Sequence, residues 1–113
     1  MIVGIDLSFE LKREGKSATL FVYGRIDTLS SRKFEDEAVK LVSSDLEELK
    51  INFKNVSYIS SSGLRVLLYI KQKMIEKDPD FCLILEDPQD SVVEILDITG
   101  FSGEVVDVEY TKK

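Results

Sequence analysis

The chain has 113 residues, 43% hydrophobic and 32% charged, with one cysteine, no histidine and a formal charge of −6. This balance suits a single soluble domain that buries its own core and argues against disorder. It also excludes much: no Ser-His-Asp or Cys-His nucleophile, few zinc or haem sites, no disulfide framework, and no basic face for nucleic acid.

A protein partner is therefore expected rather than a nucleic acid. No apolar run is long enough for a membrane span. Asp6 and Glu10 interrupt any secretory leader, so a cytoplasmic location is expected.

Leu7–Arg13 alternates apolar and polar residues, with Ile5 in the same parity, and predicts a half-buried strand. Glu14-Gly15-Lys16-Ser17 reads as a hairpin turn, and Ala18–Gly24 as the returning strand. Gly24-Arg25-Ile26-Asp27-Thr28 leaves that strand through a turn. From about Leu29 to Ser43, Phe34, Ala38, Leu41 and Val42 recur on one helical face. Glu35, Asp36 and Glu37 lie towards its start, where acidic groups suit the helix dipole.

Leu49, Ile51 and Phe53 alternate with polar residues in a third strand, and Asn55–Ile59 carries the chain to Ser60-Ser61-Ser62-Gly63. A helix of about fifteen residues follows, with a serine as N-cap. Leu64, Leu67, Leu68, Met74 and Ile75 share its apolar arc; Val66 and Ile70 widen it towards a neighbouring helix or a partner. Pro79 ends the helix. Phe81–Leu85 reads as a strand buried on both faces, with Cys82 as a small buried hydrophobe. Asp87 and Pro88 read as the cap and first residue of a third helix that ends at Gly100, with Phe101 packing behind it. Glu104–Val108 predicts a short edge strand, and Thr111-Lys112-Lys113 a frayed tail.

The expected fold is α/β: one domain over residues 1–113, with a mixed sheet of four to five strands that opens on a hairpin and is covered by helices.

Three consecutive hydroxyls at a strand-to-helix junction are unusual core material. Such a junction offers free N–H groups and the positive end of a helix dipole to an anion. The segment lacks the Gly-x-Ser-x-Gly of a nucleophile elbow and the Gly-Lys-Ser/Thr of a P-loop. Capping alone needs one serine. A loop that receives a phosphate would use all three, because an ester there adds roughly −1.5 to −2 charges without unravelling the helix. Asp27 reads as a turn former whose carboxylate could lie beside that loop.

Four segments match a known pattern in order and spacing: Gly24-Arg25-Ile26-Asp27, Ile51-Asn52-Phe53, Val56 through Leu64, and Ile95 through Phe101. Together they resemble the STAS domain of bacterial anti-sigma-factor antagonists over almost the whole chain. That resemblance implies a switch protein, not an enzyme. The unmodified form would bind an anti-sigma serine kinase and free a sigma factor, and a serine phosphatase would reverse the modification. ATP and magnesium would belong to the kinase, so no cofactor is expected here.

The family usually reads Asp-Ser-Ser-Gly-Leu. Alignment on Gly63 and Leu64 places the phosphoacceptor on Ser61, with Ser60 where the family has aspartate. Asp27, Ser60 and Ser62 would surround it, and Gly63, Leu64, Arg65, Val66 and Tyr69 would complete the partner-binding surface around it. The alternative is a STAS-type scaffold or transport-associated subunit that is never phosphorylated.

Overall fold

A computed structural model describes residues 7–111. Their elements run β1 (Ser8–Glu14), β2 (Ser17–Ile26), α1 (Ser31–Val42), β3 (Glu48–Ile59), α2 (Ser61–Lys77), β4 (Cys82–Glu86), α3 (Asp90–Thr99) and β5 (Asp107–Glu109). Spatial order follows chain order: β1 is antiparallel to β2, and β2, β3, β4 and β5 are parallel neighbours. The expected mixed sheet is present with five strands. The parity placed on Ile5, and Lys112 and Lys113 of the tail, lie outside the described residues.

Strand alternation builds one apolar face. Leu20 and Val22 of β2, Leu49, Ile51 and Phe53 of β3, and Leu83 and Leu85 of β4 are all buried. The helices cover them through Phe34 and Ala38 of α1, Leu67 and Ile70 of α2, and Val92 and Leu96 of α3, in one cluster. Phe34 lies at the junction, its ring 6.4 Å from that of Phe9 and 6.3 Å from that of Phe53. The other face, with Lys12, Thr19, Phe21, Tyr23 and Lys50, stays half-buried to exposed.

Several expectations are corrected. The β1 strand is an edge: Phe9 is half-buried and Leu11 is 49% exposed, because only β2 flanks it. The β2 strand does not turn at Gly24 but continues to Ile26, and β3 runs unbroken to Ile59, with shifts of register between Phe21 and Tyr23 and between Gly24 and Ile26. The acidic residues of α1 fall after its first turn. In α2, Ile75, expected on the apolar arc, is exposed, whereas Val66 and Ile70 are buried where the helix packs on α1, the neighbouring-helix reading. Cys82 is exposed at the start of β4, although Leu83, Ile84 and Leu85 behind it are buried on both faces.

The start of α3 also differs. Gln89, not Asp87, is the N-cap. Asp87 adopts φ +52°, a conformation aspartate tolerates better than most residues. Its carboxylate accepts from the Thr111 N–H at 2.7 Å and the Thr111 hydroxyl at 2.8 Å, fastening the chain beyond β5. Gly100 ends α3 at φ +78°, and the Phe101 N–H reaches back to the Leu96 carbonyl at 2.9 Å.

Candidate functional site

The parallel pairing of β2 and β3 brings two strand exits together. Ile26 pairs with Ile59, and the Ser60 N–H donates to the Ile26 carbonyl at 2.8 Å. The α1 helix follows the first exit and α2 the second, so both helices begin on the same edge of the sheet.

Each serine has a different environment. Ser60 is the N-cap of α2, extended at φ −85° and ψ 171°, and only 7% exposed. Its hydroxyl oxygen accepts from the Gly63 N–H at 3.2 Å and lies 2.9 Å from the Ser62 hydroxyl. Ser62 is half-buried by this contact. Ser61, the first residue of α2, is exposed, and its hydroxyl has no hydrogen bond among the described residues. The structure thus separates one cap, one supporting hydroxyl and one accessible hydroxyl.

Ser60→Ala should cost about 1 kcal/mol in urea unfolding through loss of the cap. Ser60→Asp should keep most of that stability, since aspartate caps equally well. Equal losses in the two variants would show that the cap contributes nothing.

Gly63 faces the paired exits. A Cβ there would lie 2.6 Å from Ile26 Cγ2 and 2.7 Å from Ile59 Cγ1, so close approach of α2 to the strand ends requires glycine. Leu64 and Val66 are each 5% exposed and belong to the core. Val66 is thereby corrected as docking surface, and Gly63 and Leu64 can act on a partner only through the backbone they hold. Arg65 is exposed and Tyr69 half-buried. With Ser31, Glu35, Ser62 and Val66 they line a depression of about 190 Å³ between α1 and α2.

Asp27 stands beside the serine loop through its neighbour Ile26, but no hydrogen bond joins its carboxylate to the serines among the described residues. It accepts instead from the Leu29 and Ser30 N–H groups at 3.1 and 2.9 Å, while the Asp27 N–H donates to the Ser30 hydroxyl at 3.0 Å. This reciprocal arrangement fixes the entry to α1. The Ser30 N–H, ahead of the Ser30 hydroxyl, the Leu29 N–H and nearby Arg25, holds the Asp27 carboxyl below its ordinary value, against the opposing effect of desolvation. A lowered folded pKa contributes stability above the unfolded value near pH 4, and that contribution disappears as pH falls through the folded value. Asp27→Asn should therefore flatten the acid limb of a stability–pH curve below about pH 4. An unchanged limb would contradict this role.

Sequence reading missed the flank formed by Arg25 and Tyr58. The guanidinium lies 4.7 Å from the Tyr58 ring centroid and 3.6 Å from the Asp27 carboxylate. The pair meets only because of the β2–β3 register, which no local pattern reveals. Leu29, 88% exposed in the turn before α1, was likewise missed, because its exposure is set by tertiary packing. Ser31 and Glu35 could have been suspected from their i, i+4 spacing once α1 was placed.

Among the described residues, no group of three or more His, Cys, Asp or Glu side chains could hold a metal ion, and no helix is long and apolar enough to cross a membrane.

The STAS-domain family model matches residues 8–112. The chain belongs to the STAS family. Its fold is similar to the anti-sigma factor antagonist SpoIIAA in its unphosphorylated form, with 16% identity over 94% of this chain and 90% of the other and a TM-score of 0.76. It is similar to the phosphorylated form of SpoIIAA from Bacillus, at 15% identity over 94% and 93% of the two chains and a TM-score of 0.69. An anti-sigma factor antagonist from Mycobacterium paratuberculosis superposes with a TM-score of 0.81, at 16% identity over 95% and 87%. No curated protein matches the sequence significantly. At these identities the structural likeness concerns the STAS fold, and the placement of the serine loop rests on this chain's own residues.

Proposed function

We propose that this STAS domain is an anti-sigma-factor antagonist whose unphosphorylated form binds an anti-sigma serine kinase and frees a sigma factor. Phosphorylation of Ser61 turns it off. The observation that carries this reading is the division among the serines: Ser61 alone is exposed with an unengaged hydroxyl, at the N-terminus of a seventeen-residue helix. The family membership and the folds of known antagonists support the general role.

In the transfer, the Ser61 hydroxyl oxygen attacks the terminal phosphorus of ATP held with magnesium by the kinase. ADP leaves, and the hydroxyl proton passes to a base on the kinase. The Ser61 hydroxyl makes no hydrogen bond to a carboxylate among the described residues, which suits a residue that is acted upon. The resulting ester would lie near the Ser61 and Ser62 N–H groups, which have no partner among the described residues. Arg65, one turn on, would complete an acid-before-base i, i+4 pair. A partner docked against this helix start would then face a dianion. A serine phosphatase would restore the alcohol.

Incubation with the cognate kinase and ATP, followed by peptide mapping, tests the assignment. One phosphate on Ser61, absent from Ser61→Ala, is expected. Phosphate confined to residues outside the serine loop would overturn it. Partner binding insensitive to both Ser61→Ala and Ser61→Asp would favour a scaffold role.

A further inference from the structure

We propose that the outer edge of β1 is a self-association surface that takes β1 of a second copy of this chain, antiparallel, with the two-fold axis at Leu11. This goes beyond the serine switch and does not depend on it; β2 separates this edge from β3 and the serine loop.

The hydrogen-bond parity of β1 comes from its hairpin. Glu14 pairs with Ser17 around a two-residue turn with Gly15 at φ +61°. In such a hairpin the closing pair exchanges both of its hydrogen bonds. Alternation then aims the main-chain groups of Ser8, Glu10, Lys12 and Glu14 at β2, and those of Phe9, Leu11 and Arg13 outward. Among the described residues β1 pairs with β2 alone, and no loop backbone bonds to Phe9, Leu11 or Arg13, so the outward groups have no backbone partner there. An edge strand of seven residues with open N–H and C=O groups is a template for another strand.

The side chains select the occupant and the register. Antiparallel pairing centred on Leu11 sets outward-aimed residues opposite one another: Leu11 on Leu11, and Phe9 on Arg13 of the second copy. It places Glu10 opposite Lys12 of the second copy, and Lys12 opposite its Glu10. These are the close, non-hydrogen-bonded pairs, in which side-chain charges interact best.

Moving the axis to Glu10 would set Glu10 against Glu10. Moving it to Lys12 would set Lys12 against Lys12 and Glu10 against Glu14. A shift by half a step would oppose outward groups to inward ones and lose the bonds. Moving it to Arg13 would pair Lys12 with Glu14, but it would set Arg13 against Arg13 and cut the overlap to the end of the strand. The Leu11 register therefore combines hydrogen bonding and opposite charge with no like-charged pair. It also covers Leu11, whose side chain is 49% exposed at the sheet's margin. Glu10 and Lys12 are exposed, held among the described residues only by a 3.4 Å contact of Glu10 with the Tyr23 hydroxyl and a 5.4 Å approach of Lys12 to the Phe21 ring. Both remain free to turn outward. The product is one continuous sheet carrying both helical layers on the same side.

Sedimentation equilibrium from about 10 μM to about 1 mM tests this, because a join through one strand is small and its dimer concentration-dependent. The mass should rise from one chain towards two. Glu10→Lys and Lys12→Glu should each weaken association at least about tenfold, by turning two attractive pairs into repulsive ones. An equimolar mixture of the two variants should associate again, as should the double variant carrying both changes. Far-UV circular dichroism should be unchanged in every case, since both positions are exposed. A single-chain mass throughout the range would overturn the proposal. So would association that both reversals leave intact, or a mixture that fails to recover it.

Discussion

Gly63→Ala is expected to destabilise this domain by about 1–3 kcal/mol, although alanine is the better helix former by roughly 1 kcal/mol. The added methyl would enter space held by Ile26 Cγ2 at 2.6 Å and Ile59 Cγ1 at 2.7 Å. Neither isoleucine can yield easily, since Ile26 is fully buried and Ile59 is 1% exposed. The strain must be relieved by lifting the first turn of α2 away from the strand exits. That would disturb the Ser60 cap and the pairing of Ser60 with Ile26. Thermal melting should show a fall of roughly 4–8 °C per kcal/mol. Ile59→Ala removes one colliding atom, so the double variant should lose less than the sum of the single losses. Strict additivity, or a Gly63→Ala domain as stable as the parent, would show that the approach of helix to strand is not tight.

Ser61→Asp should have the opposite profile: little effect on the fold and a large effect on the partner. A carboxylate at the first position of a helix gains about 0.3–1 kcal/mol from the dipole, which offsets the loss of serine. Because Ser61 is exposed and its hydroxyl supports nothing else among the described residues, unfolding should be unchanged within about 0.5 kcal/mol. Binding to the anti-sigma kinase, followed by calorimetry, should weaken at least about 100-fold, which corresponds to roughly 2.7 kcal/mol of unfavourable charge at a closed interface. Ser61→Ala should bind as the parent does and resist switching off. If the aspartate variant instead lost stability and binding together, Ser61 would be a structural residue.

Much of this could be read from the sequence because its signals were local. The hairpin, the amphipathic α1, the serine-capped α2 and the glycine end of α3 each follow from residues within a few positions of one another. What escaped was tertiary. Cys82 looked buried among Phe81 and Leu83, yet it starts a strand whose first residue lies at the rim. Asp87 had the form of a cap, but its carboxylate is occupied by Thr111, 24 residues away. Val66 seemed available to a partner until α1 covered it.

The serine loop was legible as a place but not as three roles. The spacing in sequence makes Ser60, Ser61 and Ser62 equivalent hydroxyls. Their inequality arises because the N-cap side chain turns inward to the Gly63 N–H, whereas the next residue points away from it. Ser60 thereby performs the capping that an aspartate could perform, without adding a charge beside Ser61.

The most direct test of the central claim is sigma release. The chain, before and after stoichiometric phosphorylation, would be added to a preformed complex of the cognate anti-sigma kinase and its sigma factor, and free sigma measured by native mass spectrometry. The account predicts that the unmodified chain displaces sigma and enters the complex, and that the chain phosphorylated on Ser61 leaves it intact. Equal displacement by both forms, or by neither, would contradict it.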